Sequence, residues 1–140
     1  MVVKSYITAR YAETDQMGIV HHSVYPIWFE VGRTDFIKQL GITYSQLEKE
    51  GVMLPLSALS CKYHAPVHYE DEIILETRVA QVSAAKIEFR FVVRHKDSGV
   101  IAAEGMTLMG IVSTETFRPI NLKKVRPQLF ERLKAACCEG

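Results

Sequence analysis

Between Ser23 and Gly41 the chain reads SVYPIWFEVGRTDFIKQLG, and this segment limits the available folds more than any other. Its apolar positions are Val24, Ile27, Trp28 and Val31 on one side and Phe29, Phe36, Ile37 and Leu40 on others. A helix patterned in this way needs burial around much of its circumference. Pro26 has no amide proton and clashes inside a helix, so it belongs in the first turn and the helix starts close to His22 or Ser23. Gly41 is a natural residue for its C-terminal cap. A strongly twisted antiparallel sheet can cover such a helix by bending around it.

The rest of the chain supplies strands for that sheet. Residues 3 to 11 alternate Val3, Ser5, Ile7, Ala9 and Tyr11 against Lys4, Tyr6, Thr8 and Arg10, the period of a strand. Residues 73 to 82 place Ile73, Leu75, Thr77 and Val79 on one face, and residues 86 to 94 do the same with Ile87, Phe89, Phe91 and Val93. The turn HKDSG, with Asp97 and Gly99, leads into residues 100 to 112, apolar on both faces as in a central strand. Residues 53 to 64 form a further strand, with Pro55 near its start or at an edge. Thr43 or Ser45 caps a short helical turn that stops at Gly51, and a terminal helix runs from Val125 to Ala136 with Pro127 in its first turn. The expected class is α+β, one domain over residues 1–140, with an apolar outer sheet face left over for assembly into a dimer or higher oligomer.

Composition excludes several functions. A formal net charge of +1, from 17 basic and 16 acidic residues, gives no general attraction to nucleic acid or anionic lipid. No apolar run approaches the roughly 20 residues of a membrane span, and the N-terminus lacks the apolar stretch of a signal peptide, so a cytoplasmic protein is expected. Cys61, Cys137 and Cys138 show neither disulfide nor metal spacing; Cys61 reads as a small buried hydrophobe, and the other two end the terminal helix. His21 and His22 are adjacent, whereas zinc sites on a helix favour spacings of about three or four residues, so no metal and no cofactor are expected. The LKKVR run at Lys123 reads as a solvated face, and Trp28, Phe29 and Phe36 as core.

The chemistry concentrates in YAETDQMGIVHHSVYP, residues 11–26, which join the first strand to the long helix. Amides at His22 through Tyr25 include donors without intrahelical partners, at the positive end of the helix dipole. They can bind an oxyanion. Asp15 lies on the same loop, and Gly18 lets the backbone turn tightly or approach a ligand. A carboxylate facing amide donors is sufficient for thioester hydrolysis, because the carbonyl oxygen gains charge in the transition state and the donors stabilise it there. The carboxylate attacks the carbonyl or deprotonates a water; spacing does not choose between these routes. An Asp in a polar turn also has a plainer reading, as the residue that closes an Asx-turn.

The same segment resembles the signature of the 4-hydroxybenzoyl-CoA thioesterase family, most closely its YbgC-like acyl-CoA thioesterase branch. Tyr11, Asp15, Gly18, Ile19, Val20, His22 and Tyr25 match, followed by Phe29, Glu30 and Arg33 in F-E-x-x-R spacing. A second stretch, Lys62 to Asp71, resembles the family's Y-x-x-P-x-x-Y-x-D pattern. The resemblance runs over residues 3 to 113 and implies a hotdog fold: a five-stranded antiparallel sheet wrapped around one long central helix. It implies an acyl-CoA thioesterase with Asp15 as catalytic carboxylate and the His22 amide as oxyanion donor. The His22 side chain would aid in orienting thioester or water, and Tyr11, Gly18 and Tyr25 would shape the substrate site. It also implies acyl-CoA or acyl carrier protein as thiol carrier, and active sites at the interface of a homodimer or homotetramer. Val24 departs from the Asn common in relatives, which removes that side chain's polar contacts. Lys62, Arg118, Lys123 and Lys124 are available to nucleotide phosphates, although no motif ties them there. Two rival functions remain: another hotdog activity, hydration or dehydration of an acyl thioester, and a non-catalytic module that binds acyl-CoA or acyl carrier protein.

Overall fold

The computed structural model describes residues 1–137. Strand β1 (Val3–Thr8) leads through a 3-10 turn at Tyr11–Glu13 and another at His22–Val24 into helix α1 (Tyr25–Gln39). Then come α2 (Tyr44–Lys49), β2 (Val52–Met53), β3 (Leu56–Tyr63), β4 (Glu72–Val82), β5 (Lys86–His95), β6 (Ile101–Gly110), β7 (Val112–Ser113), α3 (Leu122–Val125) and α4 (Pro127–Ala136). Five strands form one antiparallel sheet in the order β1-β4-β5-β6-β3, with α1 against it, and β2 pairs with β7. This is the α+β architecture that the resemblance implies.

Period-two patterning decides which face of the sheet meets α1. Ile73, Leu75 and Val79 of β4 and Ile87, Phe89 and Val93 of β5 are buried. A β-bulge between Val79 and Gln81 then shifts the phase, so that Val82 rather than Gln81 turns inward. Phe29 of α1 stacks on Phe91 at 4.4 Å between centroids, and Phe36 meets Phe89 edge-on at 5.9 Å. The helix approaches closely at two glycines: a Cβ on Gly32 would collide with Thr77 Oγ1, and one on Gly105 with the Phe29 ring.

Several boundaries and burials differ from the sequence reading. β1 stops at Thr8 rather than residue 11, because the Glu13 side chain accepts from the Arg10 amide at 2.8 Å and draws the backbone into a turn. Pro55 splits the strand expected over 53–64 into β2 and β3, and β3 lies at the sheet edge. On α1, Tyr25, Trp28, Phe29, Phe36 and Ile37 are buried as a broad apolar face, yet Ile27 (57%) and Val31 (40%) are exposed, one turn apart. The terminal helix begins at Pro127, after the separate turn α3 capped by Asn121, whose Oδ1 accepts from the Lys124 amide at 3.2 Å. Gly41 takes φ +88 beyond the end of α1. Cys61 is half-buried, Cys137 follows α4, and Cys138 lies outside the described residues.

Candidate active site

The loop from Tyr11 to Tyr25 is held at its base by a buried carboxylate. Glu13 is 7% exposed; its Oε1 accepts from the Arg10 amide, and its Oε2 accepts from Trp28 Nε1–H at 3.1 Å. Its carbonyl accepts from the His21 amide at 2.9 Å, so one residue ties both ends of the loop to α1. Nothing in the sequence reading singled out Glu13, because an acid in a polar turn gives no sign of burial.

Beyond Glu13 the backbone closes a tight turn. The Asp15 amide donates to the Ile19 carbonyl and the Gly18 amide to the Asp15 carbonyl, each at 2.9 Å, with Gly18 at φ +78. The Met17 amide donates to Asp15 Oδ1 at 2.8 Å, which completes an Asx-turn and fixes the side chain. The plain reading of Asp15 therefore holds, and it holds together with a place on the cleft. The chain then runs beside residues 67 and 68, through an isolated bridge from Ile19 to His68 and a bond from the Val20 amide to the Val67 carbonyl at 2.7 Å.

At His22–Val24 the donors are assigned individually. His21 Nδ1 accepts from the Ser23 amide at 3.2 Å, and the His21 carbonyl accepts from the Val24 amide at 3.0 Å. The His22 amide precedes the first bond of the turn and has no acceptor among the described residues. This donor, expected from the sequence, is left open. The His22 ring packs on His21 with centroids 4.0 Å apart, and the His22 carbonyl accepts from Tyr63 Oη–H at 3.0 Å.

A cleft of about 460 Å³ is lined by two stretches of the chain. Asp15, Met17, Ile19, Val20, His22 and Tyr25 come from the loop and the start of α1, and Tyr63, His64, Ala65 and Pro66 from the exit of β3. Asp15, His22 and Tyr25 thus come together. Gly18 shapes the turn behind them, and Tyr11 is 75% exposed, outside the cleft lining, edge-on to Tyr69 at 5.5 Å. Burial, with contributions from Cys61 and Tyr63, pushes the Tyr25 hydroxyl up to about 12, so it stays protonated at neutral pH. Burial also pushes the Cys61 thiol up, which makes it a poor nucleophile. Val24 is buried, so its side chain makes core contacts. Among the described residues, no group of three or more His, Cys, Asp or Glu side chains is placed to hold a metal ion, and no helix is long and apolar enough to cross a membrane. Tyr63 and His64 were legible only as part of the Lys62–Asp71 stretch; their place on the cleft with Asp15 required the fold.

The model of the thioesterase-like superfamily matches residues 9–133. YneP of Bacillus subtilis, named as a candidate acyl-CoA thioesterase, is 37% identical over 126 residues, which cover 90% of this chain and 91% of that one. The acyl-CoA thioesterase YbgC of Haemophilus influenzae is 28% identical over 125 residues, 89% and 90% of the two chains. Among solved structures, the DHNA-CoA thioesterase of Staphylococcus aureus superposes with a TM-score of 0.92 at 32% identity, over 96% of this chain and 89% of that one. A matched family model across the loop, the helix and the sheet, together with relatives similar over nearly their whole length, leaves one assignment: the chain belongs to the thioesterase-like superfamily, with the hotdog architecture of its structural neighbours.

Proposed function

We propose that this protein is an acyl-CoA thioesterase, hydrolysing an acyl thioester to the free acid and CoA. The observation that carries the reading is the open His22 amide on the same cleft as Asp15. The thioester carbonyl oxygen accepts from that amide, and the interaction strengthens as charge develops on the oxygen. Asp15, immobilised by the Met17 amide, acts on the carbonyl carbon as nucleophile or as base for a water. The His22 ring and Tyr25 flank the acyl group, and Gly18 permits the turn that presents Asp15. Acyl-CoA is the proposed substrate, supported by the names of the similar proteins, with acyl carrier protein as the alternative thiol carrier.

The test is thiol release from short-chain, long-chain and aromatic acyl-CoA substrates, with Asp15→Asn as control. Turnover should fall by at least about a hundredfold in the variant, the scale of losing a base or nucleophile. Undiminished turnover would reject Asp15; no release across the panel by the unaltered protein would favour a binding module.

The proposed working form is one hotdog domain assembled as a dimer or tetramer in the cytoplasm. Ile27 and Val31 on α1 and Leu56 and Leu59 on the edge strand β3 are exposed apolar side chains that a second copy would cover. Light scattering at micromolar concentration should give at least a dimeric mass, and a monomer would reject assembly.

A further inference from the structure

If Asp15 attacks the thioester carbon, it is consumed as a mixed anhydride and cannot also activate the water that follows. A second base is then required, and the same cleft carries one. His64 lines the cleft, and its Nε2 lies 3.1 Å from Glu104 Oε2 on β6. An ionised carboxylate only accepts, so Glu104 holds the ring proton on Nε2 and leaves Nδ1 as the proton acceptor. A base oriented by a third group is the arrangement that nucleophilic hydrolases use repeatedly. His22 also lines the cleft, but its ring packs on His21 and no carboxylate among the described residues orients it.

From this geometry we infer that His64, positioned by Glu104, is the base that resolves an Asp15 acyl-enzyme. The inference rests on the thioesterase reading above and assigns Asp15 the nucleophilic role. In the first half-reaction an Asp15 carboxylate oxygen bonds to the acyl carbon, and the C–S bond breaks with release of the thiolate. Water then enters from the side that the thiol has left, which is the side away from Asp15. As the water oxygen bonds to the acyl carbon, its proton passes to His64 Nδ1, and the bond from the acyl carbon to Asp15 breaks to restore the carboxylate. His64 returns the proton to solvent; its side chain is 43% exposed, so water reaches it.

The charged and titratable groups around His64 come from each neighbouring element. Glu104 is its direct partner on β6, and Lys62 of β3 stands in register opposite Glu104. Asp15, His22 and Tyr25 line the same cleft, Tyr63 is adjacent in sequence, and His95 of β5 is engaged by the Pro66 carbonyl at 3.0 Å. Of these, only Glu104 is within hydrogen-bond reach of the ring.

The experiment is rapid-mixing kinetics of thiol release by His64→Gln, Glu104→Gln, the double variant and Asp15→Asn, with folding verified by circular dichroism. His64→Gln should show a burst of one thiol per active site followed by turnover slowed about a hundredfold. The double variant should be no slower than His64→Gln, because the two residues act as one unit. Unchanged turnover in His64→Gln, or slowed turnover without a burst, would overturn the assignment. Full activity in Asp15→Asn would instead reject the underlying thioesterase reading of Asp15, whatever His64 does.

Discussion

The indole of Trp28 and the carboxylate of Glu13 meet at 3.1 Å in the protein interior, and this bond ties the Asp15 loop to α1. Trp28→Phe keeps an aromatic ring but removes the shorter of two bonds to a buried carboxylate oxygen, leaving only the Arg10 guanidinium at 3.4 Å, at a cost of about 1 kcal/mol. Urea unfolding should show that loss, and turnover should fall as the loop loosens. A variant with unaltered stability would show that Glu13 finds its partners elsewhere.

Gly105 lies on β6 beneath Phe29, whose ring a Cβ would strike while lying 3.0 Å from the Ser60 carbonyl. Phe29 is itself stacked on Phe91 and has little room to retreat. Gly105→Ala should therefore destabilise the fold by about 1–3 kcal/mol, the usual scale of overpacking. A melting temperature equal to the unaltered protein's would mean that α1 shifts freely.

Thr77 offers the opposite case. It is fully buried, and its Oγ1 has no hydrogen-bond partner among the described residues. Thr77→Val replaces the hydroxyl with a methyl group of similar shape and removes an unsatisfied polar atom, so stability should stay level or rise by up to about 1 kcal/mol. A loss larger than that in chemical denaturation would reveal a bond made by this hydroxyl in solution.

Tyr25 couples the site to alkaline pH. Its hydroxyl is raised from 10.0 to about 12 in the folded protein, so the folded state holds the proton more tightly than the unfolded chain does. The resulting stability is complete below the unfolded value and is lost as pH rises through the window to the folded one. Denaturant titrations at about pH 9 and about pH 11 should show a decline that is smaller in Tyr25→Phe. An equal decline in both proteins would place this titration elsewhere.

Much of the architecture was legible because period and punctuation agree locally. The alternation of Ile87, Phe89, Phe91 and Val93 marks β5 and its buried face, Pro26 and Gly41 bracket α1, and Asp15, Gly18 and His22 mark the loop that carries the chemistry. What escaped depends on contacts between distant parts of the chain. Glu13 is buried only because Trp28 lies 15 positions later, and His64 shares a cleft with Asp15 only because β3 takes the sheet edge. Ile27 and Val31 misled for a related reason: apolar spacing on a helix reports what is to be covered, without saying whether the same chain covers it.

The backbone at residues 64 and 65 hangs from β6 by main-chain atoms, since both amides donate to the Ala102 carbonyl, at 2.8 and 3.1 Å. Such anchorage is indifferent to side-chain identity. Mutations at Ala65 can therefore reshape this stretch of the cleft from one lineage to the next without re-registering a strand or disturbing the Glu13 anchor, so a single scaffold can diverge in what it accepts while inheriting the same reactive groups.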